Sequence, residues 1–81
     1  MTELEKDLLA GLQAIIRKPV DLEENLYNGL IDSFSLVEVV VLIEKLAATH
    51  GLNISVNAIV SLDPLSARGI LQAMRSMDRR L

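Results

Sequence analysis

The 81-residue chain has no cysteine and no tryptophan, and it holds one tyrosine, one phenylalanine and two prolines. Without cysteine there is neither a disulfide framework nor a thiolate metal site. The single His50 has no histidine partner with which to build a metal cluster. Aromatics are 2% of the chain against 51% hydrophobic residues, so a core has to be assembled from Leu, Ile, Val and Met, a mixture that favours packed helices over a sheet. No basic segment precedes an apolar run at the N-terminus, and the apolar run over 34–43 is too short and too charged to span a bilayer. The expectation is a soluble, cytoplasmic protein with no membrane span. An excess of base is missing as well: the net charge is −3, which argues against a nucleic-acid partner, whose affinity would come from a basic surface.

The length leaves room for one domain over residues 1–81 with one modest core, and a monomer is the expectation. The acid is gathered at the front. Residues 1–50 carry nine acids and four bases, and residues 51–81 carry two acids and four bases.

Thr2 and Glu5 have the spacing of a capping box, so a helix is predicted to start there. Leu4, Leu8, Leu12, Ile15 and Ile16 then form one apolar stripe, and Pro19 limits the helix to about Arg17. Arg17 and Lys18 suit the negative end of its dipole. Residues 18–31, with Pro19, a polar Asp-Leu-Glu-Glu-Asn segment and Asn28-Gly29, read as a long loop, a kind of connection that is often functional. Leu22, Leu26, Tyr27 and Leu30 are expected to pin it to the core.

From Asp32 the period is helical to about Ala48, with Gly51 as the stop. At ~100° per residue, Leu36, Val39, Val40, Ile43, Leu46 and Ala47 share one arc and should face the core. Phe34, Val37 and Val41 fall outside that arc. They form a second apolar strip, flanked by Glu38 and Glu44, on the side expected to meet water. Ile54, Val56, Ile59 and Val60 have strand propensity, but Asn57 and Ala58 do not, and a short helix over Val56–Ser61 suits an otherwise helical chain. Asp63-Pro64 marks a turn. Ser66 then looks like the N-cap of a last helix to about Asp78, with Ile70, Leu71 and Met74 inward. Arg75, Arg79 and Arg80 read as a solvated terminal face, and Met77 as packing.

Asp32-Ser33 has a simple reading as a helix cap, because Asp and Ser oxygens accept hydrogen bonds from the first free amides. Two features go beyond a cap. The strip Phe34, Val37 and Val41 costs solubility unless something docks on it. A serine at a helix N-terminus after a long loop is also exposed, and the positive end of the helix dipole favours a phosphate attached there.

With Asp32-Ser33-Phe34 followed by Val37-Glu38-Val39-Val40 and Leu42-Ile43-Glu44, the sequence resembles the acyl carrier protein family. The resemblance covers nearly the whole chain: helix, long loop, Asp-Ser helix, short helix, and a last helix opening Ser-Ala-Arg-Gly-Ile-Leu at Ser66. It implies an all-α, acyl carrier protein-like bundle of three main helices plus one short helix. It implies that Ser33, flanked by Asp32, is the attachment point for 4'-phosphopantetheine, delivered from coenzyme A by a separate phosphopantetheinyl transferase. The thiol of that arm would carry an acyl or aminoacyl thioester, and Phe34, Val37, Glu38, Val41 and Glu44 would form the recognition face for partner enzymes. The domain would then be a substrate carrier and not an enzyme.

Many fatty-acid carriers have acidic residues where this chain has Ser35 and Lys45, so its recognition face is less acidic than theirs. Leu30-Ile31 stand where peptidyl carrier domains usually have glycine. The run Gly29-Leu30-Ile31-Asp32-Ser33 is most similar to the D-alanyl and related stand-alone aminoacyl carriers, whose partner is an ATP-dependent ligase. Ser35 competes as an attachment site. Register favours Ser33 and makes Ser35 the N3 residue of the helix. Two rival readings use the same residues: a small helical adaptor that binds a partner helix through Phe34, Val37 and Val41 without a prosthetic group, and a small enzyme pairing Ser33 with His50. A plainer role for His50 is that of a helix C-terminal residue beside Gly51.

Overall fold

The computed structural model describes residues 3–77, so Thr2 of the expected capping box, Asp78, Arg79 and Arg80 lie outside the described residues. Four helices follow in order: α1 over Glu3–Ile16, α2 over Ser33–His50, α3 over Val56–Val60 and α4 over Ala67–Met77. No strand forms among the described residues, and Val56–Val60 takes the short helix expected where Asn57 and Ala58 disfavour a strand.

The apolar spacing of α1 buries Leu4, Leu8 and Leu12 on one side, with Ile15 and Ile16 packed half-buried against the same core. The helix ends one residue short of expectation. Arg17 adopts a left-handed conformation at φ 63° while its N–H still donates to Gln13 O at 2.7 Å, which turns the chain before Pro19.

Helix α2 outlasts the expected end by one turn's half, reaching His50. Gly51 then takes the left-handed position at φ 66°, and Leu52 N–H donates to Ala47 O at 2.8 Å, so the last carbonyls are satisfied by a glycine cap. At the other end of the chain, Ser66 is the N-cap of α4: its Oγ accepts from Gly69 N–H at 3.0 Å. Ala67, Ile70, Leu71 and Met74 then face inward. In α3, Ile59 is the buried residue, and Ser61, expected inside the helix, is its C-cap, with Oγ donating to Asn57 O at 2.7 Å.

Helix α1 packs against both α2 and α4, and α3 bridges α2 and α4. Two contacts fix the sense of the α1–α2 pair. His50 Nε2 lies 3.0 Å from Asp7 Oδ2, and Gly11 faces Leu42, whose Cδ2 would stand 2.8 Å from any Cβ at position 11. Moving forward along α1 therefore means moving backward along α2, and the helices are antiparallel. The missing side chain at Gly11 is what lets Leu42 lie against α1, a gain set against the ~1 kcal/mol that glycine costs inside a helix.

The shared core has Leu8, Leu12, Leu26, Val39, Ile43, Ile59, Leu65, Ile70 and Met74 fully enclosed. At about 1.5–3 kcal/mol for each large aliphatic side chain taken out of water, this cluster is the main favourable contribution to the fold. No helix of the described residues is long and apolar enough to cross a membrane.

Candidate functional site

The loop before α2 decides how that helix is presented. It is not a free strap. Leu26 is fully buried, its N–H donates to Leu65 O at 2.7 Å, and Arg68 N–H donates to Leu22 O at 2.9 Å. Asn25 Oδ1 accepts from both Tyr27 N–H and Leu65 N–H at 3.2 Å, an Asn turn of the kind that mimics backbone. Arg68 pairs with Glu23 across the same seam. Leu22 and Leu30 pack half-buried against the core as expected. Tyr27 does not pin the loop by burial, because it is 44% exposed. It acts through its hydroxyl, which donates to Val60 O at 2.7 Å and ties the loop to α3.

Gly29 turns the chain at φ 85°, Ile31 N–H returns to Leu26 O, and α2 begins. Asp32 is the N-cap in extended conformation, and its carboxylate accepts from Ser35 N–H at 2.8 Å. That backbone bond, followed by the Ser35 hydroxyl, holds the Asp32 carboxyl below the usual aspartate range, since both donors favour the charged form. Ser35 thus occupies N3 and serves the cap. Ser33 occupies N1, is exposed, and its hydroxyl makes no hydrogen bond among the described residues. Of the two serines, one is committed to starting the helix and the other is left over.

Along α2, Val39, Ile43, Leu46 and Ala47 are buried as the period predicts. Leu36 and Val40 are not. Both are half-buried and stand at the rim of the inner arc, while Leu42 packs inward in the space that Gly11 leaves. The contact with α1 rotates the buried arc toward Leu42, and Leu36 and Val40 move toward the water-facing side. That side carries Phe34 at 83% exposure, Val37 at 62% and Val41 at 51%. Glu38, Glu44 and Lys45 are exposed around them. The structure therefore brings Ser33, Phe34, Val37, Glu38, Val41 and Glu44 onto one open surface, and no pocket forms beside them among the described residues.

Ser33 and His50 do not meet. They sit at opposite ends of α2, roughly 25 Å apart along the axis at 1.5 Å per residue, and the His50 ring is engaged by Asp7. The residues that sequence reading missed are structural neighbours of the site: Asn25, Leu42 with Gly11, and the Glu23–Arg68 pair. Only Gly11 carried a signal, as a glycine in the middle of the otherwise regular apolar helix α1. No family model, curated protein or solved structure matches the chain.

Proposed function

We propose that this protein is a carrier that holds an acyl or aminoacyl group as a thioester on 4'-phosphopantetheine attached to Ser33 and presents it to partner enzymes. The observation that carries the reading is the state of the two serines: Ser35 is tied to the Asp32 cap, while the Ser33 hydroxyl, one turn's start away, is exposed and without a protein partner. An attachment site needs that freedom, and a cap does not use it.

The residues present fit the group. Ser33 Oγ is open to a transferase, and the first turn of α2 offers the positive end of a helix dipole to the phosphodiester. Ser33 would hold the arm through its Oγ, giving up its proton to a base that the phosphopantetheinyl transferase supplies, with the nucleotide portion of coenzyme A as the leaving group. The group supplies a terminal thiol, which this cysteine-free chain lacks. Asp32 keeps α2 starting at Ser33, so the modified residue stays at the helix mouth. Phe34, Val37 and Val41, with Glu38 and Glu44 beside them, are the docking surface for the transferase, an ATP-dependent acyl or aminoacyl ligase and downstream acyl-transfer enzymes.

Incubation with coenzyme A and a broad-specificity phosphopantetheinyl transferase, followed by intact-mass analysis, tests this. The wild type is expected to gain one arm and Ser33→Ala none, with tryptic fragments placing the modification on Ser33 and not Ser35. An unmodified wild type would overturn the carrier reading and leave the helical adaptor, which uses the same apolar strip without the arm. For the docking surface, Val41→Arg and Glu38→Lys are expected to slow loading by the ligase; unchanged loading would show that partners dock elsewhere.

A further inference from the structure

The outer face of α2 has a second property beyond the carrier reading: it is self-complementary. Phe34, Val37, Val41 and Ala48 are all exposed on it, at spacings of three, four and seven that keep them on one side of the helix. At ~100° per residue, Glu38 and Lys45 stand on one flank of Val41, within about 20° of each other, and Glu44 stands on the opposite flank.

We propose that a second copy of this chain docks on this face in an antiparallel, twofold-symmetric pair of α2 helices centred on Val41. A twofold axis through Val41 sets Val41 against the partner's Val41 and the largest exposed side chain, Phe34, over the small partner's Ala48. The same operation brings each flank against the matching flank of the other copy. Glu38 then faces the partner's Lys45, displaced by one residue or ~1.5 Å along the axis, and the pair occurs twice. The Glu44 flank has no base and stays in water. Charge complementarity of this kind fixes register and partner more than it adds affinity.

A single helix pair of about four turns covers less than the ~800 Å² per partner of a stable interface. Association is accordingly weak and reversible: a monomer in dilute solution, a dimer as concentration rises. Because the second copy covers the strip assigned above to partner enzymes, a docked partner and a second copy exclude one another. The self-association itself needs no prosthetic group, so its test on the unmodified chain is independent of the carrier reading.

Sedimentation equilibrium of the unmodified full chain from micromolar to millimolar concentration reads the effect. The average mass is expected to rise from monomer toward dimer, and Val41→Arg, at an exposed position that leaves the core intact, is expected to abolish the rise. Glu38→Lys and Glu44→Lys change net charge equally and relieve general repulsion equally. Only Glu38→Lys sets like charges face to face, and it is expected to weaken dimerisation about threefold to tenfold, while Glu44→Lys does not. The double variant Glu38→Lys with Lys45→Glu is expected to restore the wild-type constant. A chain that stays monomeric to its solubility limit, equal effects of the two lysine substitutions, or a double variant no better than Glu38→Lys would each overturn the proposal.

Discussion

Helices α2 and α4 use apolar residues in opposite ways. In α4 the inner side holds Ala67, Ile70, Leu71 and Met74, and the outer side shows Arg68, Gln72 and Arg75 to water. Every large apolar residue there is spent on the core. In α2 the inner side holds Val39, Ile43, Leu46 and Ala47, yet Phe34, Val37 and Val41 stand on the outer side. Burial explains α4 completely and α2 only by half. The lesson is that apolarity left over after the core is complete carries information about partners, whereas apolarity inside it speaks only of the fold.

The contrast breaks most visibly at the inner faces, where it should vanish. Ile43 in α2 and Ile70 in α4 are both fully buried, so Ile43→Ala and Ile70→Ala are expected to cost a similar ~2–5 kcal/mol each, read from the midpoint of urea unfolding. A much smaller loss at Ile43 would mean that α2 is held by something other than this core.

An intermediate effect lies at the mouth of α2. The Asp32 carboxyl is held below its usual range by the Ser35 amide and hydroxyl. Its folded-state proton affinity is therefore lower than that of the unfolded chain. The stability it contributes is present above the ordinary aspartate range of ~3.9 and is lost as pH falls through that range and below. Asp32→Asn is expected to flatten this acid limb of the stability profile while keeping a cap, because asparagine caps as well as aspartate. An unchanged limb would assign the pH dependence to other carboxylates.

The smallest effect on stability sharpens the comparison most. Phe34→Ser and Val41→Ser are expected to shift unfolding by no more than ~0.5 kcal/mol, the usual range for surface sites, while reducing loading by partner enzymes. Gln72→Ala on the outer side of α4 is expected to change neither. If Phe34→Ser destabilised the chain by the amount typical of a core residue, the strip would be part of the fold and not a docking surface.

Element types and most bounds were legible in the sequence because period, caps and stops agree: Gly51 and Ser66 sit where their chemistry places them. The outer strip was legible for the same reason, since Phe34, Val37 and Val41 fall outside the inner arc by simple helical counting. What escaped was the rotation of that arc. Counting alone puts Leu36 and Val40 inward, but the neighbour that decides is α1, and its closeness at Gly11 admits Leu42 instead. The role of Tyr27 escaped too, because a tyrosine can pin a loop with its ring or with its hydroxyl, and only the position of the Val60 carbonyl decides which. Asn25 and the Glu23–Arg68 pair depend on which distant segment the loop meets, and no local pattern carries that.

The seam between the loop and the start of α4 has a consequence for the order in which the chain folds. Its bonds join residues 40 and 45 positions apart, and the Tyr27 hydroxyl spans 33. Such links form late, because the intervening chain must be ordered before they hold. The loop that leads into α2 is thus fastened by residues 60–68, which lie in the chain beyond the helix it aims. The earlier part of the chain carries Ser33 and the apolar strip, and the last third sets the direction in which they are presented.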